Sequence, residues 1–469
     1  MSALVDSTSA ARRLAEWGLE LTDRQMPHEV RRAAGRHLLD GIGCALAAVR
    51  RGEATYAIDY ARDFSDSSKS SVLGSGLRAP PPVAAFTNGV LIHALDYDDT
   101  HAEALVHPTA AVLPAALAVG ESENASGSEL LTACIAGYEV VIRLGAAVRH
   151  GFHARGLHAT SVCGVFASAL VSCRLMRLEV EATVNALGIA GSMASGSLEF
   201  LHTGSSTKQL HPGFASQAGV MAARLAARGA TGPESIFEGE YGVYRSLAGA
   251  DVDAAALVEG LGTRWETTRI TIKPYPACQL SHASLDALAS VLGRVQGSEV
   301  DSITFEVPED SVGIVCEPVA QKTAPRTPYE GKFSLPFSAA SLMIDRRLVL
   351  ESFEEAALSR RDVLELSRRV GYRPFDPGVA AALAPGRVEV RLVTGETVVG
   401  EVPTSRGGPQ TPMSDEEVRD KFVSNCGGMA ECDHLVSLAT AFDQLERAAD
   451  LTAASTIERE KVARFQGRA

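Results

Sequence analysis

The chain has 469 residues, 46% of them apolar and 22% charged, and its formal net charge is −13. That length exceeds one ordinary hydrophobic core, so two domains are expected, with the composition of a soluble globular protein. No block of Lys and Arg interrupts the acidic balance, which excludes nucleic acid as an expected partner because phosphate binding needs clustered cations.

The N-terminal stretch "MSALVDSTSAARRLAEWGLELTD" lacks the basic start and apolar region of a signal peptide. No apolar run reaches the about 18 residues of a membrane span, so no membrane partner is expected. "MPHEVRRAAGRHLLDGIGCALAAV" has the helical period, with a Pro near its first turn. "SGSELLTACIAGYEVVIRLGAAV" opens on Ser caps with a Glu in the first turn. "SVCGVFASALVSCRLM", "VEATVNALGIAGSMASG" and "FASQAGVMAARLAARG" extend the helical pattern. Their Ala and Gly let helix axes approach closely.

The character changes near residue 266, where "TTRITIKPYP" and then "DSITFEVP" alternate, end at Pro and predict strands. "GKFSLPFSAASLMIDRRLV" and "SFEEAALSRRDVLELSRRV" predict helices, and "RVEVRLVTGETVVGEVPT" a hairpin turning around Thr394 and Gly395. Beyond "SRGGPQTPMS", Ser414 and Glu417 form a capping box for a further helix. The expected fold is mainly α. Residues 1–265 and 404–469 form a large, discontinuous all-helical domain, and residues 266–403 a smaller α+β domain.

The eight cysteines include no CxxC and no iron–sulfur spacing. They sit in apolar runs such as "GIGCALA" and read as buried small hydrophobes of a reduced, cytoplasmic protein. "CGGMAECDH", from Cys426 to His434, reads as a turn before a helix rather than a metal site.

Eight of the twelve histidines lie between His93 and His211. His107 precedes Pro108 and is expected at a helix N-cap; His211 before Pro212 repeats the pattern. His158 stands just ahead of a helix beginning near Thr160, and His282 at the start of "ASLDALASVL". With Lys208 of "SSTKQLHPG", these histidines at helix starts suggest a site for a small anionic carboxylate. "HALDYDDTH", from His93 to His101, is open to three readings. If it is helical, His93, Asp96 and Thr100 share one face. As a metal site, its "DDTHAE" matches the Asp-rich Mg²⁺ motif of all-α terpene synthases poorly, so no metal is expected. The others are a capped, charged helix end and an acid/base site in which an aspartate works beside His and Lys.

"NGVLIHALDYDDTHAEALVHPTAAVLPAALA" resembles the signature of the MmgE/PrpD family. The similarity continues through "GLHATSVCGVFASA", "STKQLHPGFASQAGVMAARLAARGATGP", "IKPYPACQLSH", "GKFSLPFS" and "GGPQTPMSDEEVRDKF". The family includes 2-methylcitrate dehydratase, cis-aconitate decarboxylase and an iminodisuccinate epimerase. The resemblance implies a helical domain with an α+β lid, a homodimer, and catalysis without metal or organic cofactor between the domains. It assigns Asp96, His107, His158 and Lys208 to catalysis, and Thr100, Lys273, Cys278 and His282 to the substrate. Cys278 stands where the decarboxylase has a lid histidine, and the loop from Thr100 to His107 is one residue longer. Tyr138 of "GYEVVIRLG" matches a tyrosine of the epimerase-like members, a candidate proton carrier or an aromatic packed between helices.

All these reactions move a proton at a carbon next to a carboxylate. Lys208 and Lys273 would stabilise the developing charge. His107 and His158 would shuttle the proton, with Asp96 orienting one of them. The first reading is a lyase of a small di- or tricarboxylate, by dehydration or decarboxylation. The alternatives are an epimerase or racemase of a substituted dicarboxylate, and a silent carboxylate binder.

Overall fold

In the computed structural model, the described residues are 9–65, 69–295, 299–427 and 432–456. The chain divides into two units, with boundaries at Ile270/Thr271 and Met413/Ser414.

The first unit is helical. Its named helices are α1 (Ala10–Glu20), α2 (His28–Arg51), α3 (Thr55–Arg62), α4 (Pro81–His93), α5 (Pro108–Ser122), α6 (Gly127–Ala146), α7 (Ala159–Leu175), α8 (Val180–Gly191) and α9 (Thr207–Ala226). A two-residue strand pair, β1 (Ser70–Ser71) with β2 (Arg78–Ala79), leads into α4. Every residue of α4 except Pro82 is buried, as is every residue of α5 except Ser122. Such all-round apolar helices belong at the centre of a bundle.

Small residues set how close the central helices come. A Cβ built on Gly89 of α4 would lie 2.8 Å from the Gly213 Cα of α9, and one on Gly213 2.6 Å from the Phe86 carbonyl. The two backbones therefore touch, and Lys208 on α9 is brought to the end of α4 where His93 sits. The Ala/Gly composition thus has a positional consequence.

The second unit carries a four-stranded sheet in the order β4 (Val370–Phe375), β3 (Val300–Pro308), β5 (Gly386–Leu392), β6 (Thr397–Val402). β3 pairs parallel with β4 and antiparallel with β5. The β5–β6 hairpin turns through Gly395 at φ +89°. α10 (His282–Ala289) and α11 (Leu335–Asp345) supply Leu285, Leu288, Phe337 and Met343 to a core shared with Ile303, Phe305, Val388 and Val390 of the sheet. α12 (Asp415–Cys426) then returns the chain to the first unit, capped by Ser414 and Glu417 as expected.

Five points differ from expectation. "TTRITIKPYP" forms no strand: Glu266–Arg269 is a 3₁₀ turn bound to the first unit, because Glu139 accepts from the backbone N–H of Glu266 and Thr267 at 3.1 and 2.9 Å. That moves the first boundary from 266 to 271. The second moves from 404 to 414, because Gly407 accepts from Ile272 N–H at 3.1 Å and Asp286 from Arg406 N–H at 2.6 Å. β4 was not expected from "VGYRPF"; its Pro374 is tolerated because β4 is an edge strand. His211 and Pro212 are not a helix start but lie inside α9, whose N-cap is Ser206.

All eight cysteines are buried and none forms a disulfide. Cys426 ends α12 and Cys432 begins the next helix, Cys432–Thr440; residues 428–431 of "CGGMAECDH" and residues 1–8 of the N-terminal stretch lie outside the described residues. Among the described residues, no helix is long and apolar enough to cross a membrane.

Candidate active site

The stretch from Ala94 to His107 is a loop between α4 and α5, not a continued helix. Asp96 at φ +52° breaks α4, so His93, Asp96 and Thr100 do not share a helical face. A left-handed aspartate is uncommon but within the range of its short polar side chain. Because the loop turns, its three aspartates face three ways.

Asp98 faces the imidazoles. Its carboxylate accepts from His93 Nδ1 at 2.9 and 3.0 Å and lies 3.3 Å from His107 Nδ1. Asp99 faces the other side, accepting from Thr109 Oγ1 at 2.6 Å and lying 3.0 Å from His37 Nδ1. Asp96 accepts from Lys208 Nζ at 2.9 Å. Asp98 hydrogen-bonds an imidazole, a part the sequence reading gave to Asp96, which pairs with Lys208.

His107 caps α5 as expected; its Nδ1 lies 2.9 Å from the Asp99 carbonyl and 3.4 Å from Thr100 Oγ1. A carbonyl can only accept, so Nδ1 carries a proton. His158 caps α7, its Nδ1 3.1 Å from His211 Nδ1. Ring centroids of His93 and His107 are 4.5 Å apart, and each is 6.0 Å from that of His158. His93, His107, His158, Asp96, Asp98 and Lys208 are all buried. One donor atom from each of His93, His107 and His158 lies within 4.8 Å of the others; so does one from each of His93, Asp96, Asp98 and His107. Donors of these types and this spacing suit a transition metal as well as proton transfer.

Burial would raise the Asp98 carboxyl, but the charges and hydrogen bonds of His93 and His107 outweigh it and hold it well below the usual range. Burial pushes His93 below the ordinary imidazole value, against the pull of Asp98. Burial, and then the Lys208 ammonium, push His158 down and His211 to about 4. Burial therefore favours the uncharged form of the His93, His158 and His211 imidazoles, while Asp98 is held toward its ionised form.

Of the residues singled out in the sequence, Asp96, Thr100, His107, His158 and Lys208 come together here. Tyr138 does not join them. Its hydroxyl hydrogen-bonds Thr109 Oγ1 at 2.8 Å on the Asp99 side, and its ring meets His37 edge-on. Lys273, Cys278 and His282 belong to the second unit, where Cys278 N–H donates to the Lys332 carbonyl and His282 Nε2 lies 3.0 Å from the Ala277 carbonyl. Three residues of the cluster, His93, Asp98 and His211, had no role assigned in the sequence reading, although His211 stood among the histidines pointing to a carboxylate site and His93 in the loop motif. The only signal for the first two was their place in the same loop motif.

Residues 12–255 match the model of the MmgE/PrpD N-terminal domain and residues 275–444 that of the C-terminal domain. The chain belongs to the MmgE/PrpD family. Among its family relatives, the cis-aconitate decarboxylase of Aspergillus terreus is 27% identical over 94% of each chain. The human cis-aconitate decarboxylase is 28% identical over 93% of this chain and 91% of its own. The cis-aconitate decarboxylase-like protein oryM of Aspergillus oryzae is 27% identical over 94% and 95%.

Proposed function

We propose that this family member is a lyase acting on a small di- or tricarboxylate, by decarboxylation or dehydration and without an organic cofactor. The observation that carries the reading is the buried cluster of Asp96–Lys208, Asp98 and three imidazoles. It supplies a fixed cation beside groups able to give or take a proton. The names of the relatives favour decarboxylation of an unsaturated tricarboxylate; Cys278, in place of a lid histidine, leaves dehydration in play.

Charge that builds on a carboxylate as its neighbouring carbon reacts is stabilised by Lys208, which Asp96 holds in place. An imidazole of the cluster moves the proton. The epimerase alternative draws less support, because the hydroxyl of Tyr138 is engaged with Thr109 away from the cluster.

The reading includes a cytoplasmic homodimer. Buried cysteines outside any disulfide suit a reducing compartment. Phe214, Met221 and Leu225 form one exposed stripe of α9, continued through Phe86 to Tyr60 and Phe64 by ring contacts of 5.1–5.5 Å. A contiguous apolar face of this kind suits a second copy.

Proton NMR in D₂O with cis-aconitate, citrate, 2-methylcitrate and chiral substituted dicarboxylates tests the function. New vinyl signals or release of CO₂ are expected. Deuterium entering an unchanged skeleton with loss of optical purity would replace the lyase by an epimerase.

A further inference from the structure

We infer that His93, oriented by Asp98, is the residue that exchanges a proton with the reacting carbon; this rests on the lyase reading above. His93 ends α4, is 1% exposed, and gives its Nδ1–H to both oxygens of Asp98. Its Nε2 is buried and has no hydrogen-bond partner. Buried polar atoms are almost always partnered, so an orphaned imidazole nitrogen in a cluster of titratable groups marks a place where another molecule completes the bonding.

Each imidazole of the cluster has its Nδ1 engaged, but the partners differ. His107 Nδ1 meets the Asp99 carbonyl at 2.9 Å and lies 3.3 Å from one Asp98 oxygen, His158 meets another imidazole, and His93 meets both oxygens of Asp98 at 2.9 and 3.0 Å. Asp98 lies near both rings, but only His93 turns its Nδ1–H onto both carboxylate oxygens, which fixes its tautomer and stabilises its imidazolium once Nε2 gains a proton; His107 gives its Nδ1–H to a carbonyl. Asp98 is therefore a positioning residue and His93 the carrier.

In a decarboxylation, His93 enters the step protonated on Nε2 with a proton from solvent. The bond to the departing carboxylate breaks, CO₂ leaves, and its electron pair stays on the carbon, spread into a neighbouring carboxylate near Lys208. The Nε2 proton then passes to that carbon and His93 is left neutral. In a dehydration Nε2 takes the proton from carbon, the C–H pair forms the double bond, and hydroxide leaves as water with a proton from a second imidazole.

His93→Asn keeps an N–H to donate to Asp98 and removes only the distal nitrogen. It is expected to lower kcat about 100-fold or more while KM stays within about threefold. Asp98→Asn, which reverses the tautomer, should lower kcat and shift the acid limb of the kcat–pH profile. A folded His93→Asn protein with kcat within about threefold of wild type, or with only KM changed, overturns the assignment.

A second measurement does not depend on turnover. In ¹⁵N-histidine spectra, assigned with His93→Asn, saturating tricarballylate should move the His93 Nε2 signal toward its protonated position. Movement without turnover of any carboxylate tested keeps His93 as carrier and removes the lyase reading. A His93 signal unmoved at saturation overturns the proposal whatever the turnover, as does activity lost to a chelator and restored by Zn²⁺.

Discussion

Lys208 and the imidazoles around it set opposite electrostatic demands. The cluster holds one ammonium against two carboxylates, Asp96 and Asp98. An anionic substrate entering it adds negative charge in a poorly screened place, and that raises the imidazole pKa values. Under the proposed function, substrate binding should take up protons near neutral pH, and affinity should rise as pH falls from about 7 toward 6. Calorimetric titration with tricarballylate in two buffers of different ionisation enthalpy measures this; identical heats in both would remove the charge argument. Lys208→Ala should cost about 10²–10³ in kcat/KM, the usual effect of losing one group that stabilises developing charge. Steady-state kinetics on whichever polycarboxylate is turned over gives that number.

At the scale of elements, the loop that carries Asp96, Asp98 and Asp99 is held from behind by α12. Lys421 of "VRDKF" is buried, lies 2.6 Å from Asp40 of α2, donates to the Tyr97 carbonyl at 2.8 Å and sits 3.8 Å from the centre of the Tyr97 ring. Burial raises the Asp40 carboxyl to about 6, against the pull of Lys421. Removing the cation strands Asp40 in the core. Lys421→Met should therefore destabilise the first unit by about 3–5 kcal/mol, read from urea unfolding followed by tryptophan fluorescence. A change below about 1 kcal/mol would mean that water reaches Asp40 and screens it as at a surface. This contact also explains why the last helices matter to a loop more than 300 residues earlier in the chain: the positive φ of Asp96 is held by surrounding structure.

Across the whole molecule, buried neutral histidines tie stability to acidity. The folded-state value of His211 is about 4, set by burial and then by Lys208, against an ordinary value of 6.5. Between those values the unfolded chain binds the proton and the folded one does not, so this contribution is complete above 6.5 and is lost as pH falls toward 4. His211→Asn should flatten the rise of stability with pH across that window by up to about 1.4 kcal/mol per pH unit. Chemical denaturation at several pH values tests it; an unchanged slope would show that His211 keeps its proton when folded. For the proposed dimer, Phe214→Glu with Met221→Glu should shift the mass by light scattering from two chains to one. A wild-type chain already monomeric at micromolar concentration would leave that face without a second copy.

Much of this protein is legible in local sequence. The helical period, the Ser414 capping box, the hairpin at Gly395 and the caps at His107 and His158 all depend on neighbours within a few residues, and they appear where expected. The mainly α fold with a smaller α+β part, and family membership, follow from the same patterns over the whole chain. The two domain boundaries and β4 depend on distant partners such as Glu139, Asp286 and β3, which no local pattern reveals. The orientation of the motif aspartates belongs to this second class. "DYDD" shows three carboxylates; a left-handed Asp96, the touching backbones at Gly89 and Gly213, and Lys421 beneath Tyr97 send them to Lys208, to His93 and to His37. Composition and spacing determined which chemical groups the site contains. Packing between distant segments decided which carboxylate meets which imidazole, because a loop has no period of its own and takes its geometry from what surrounds it.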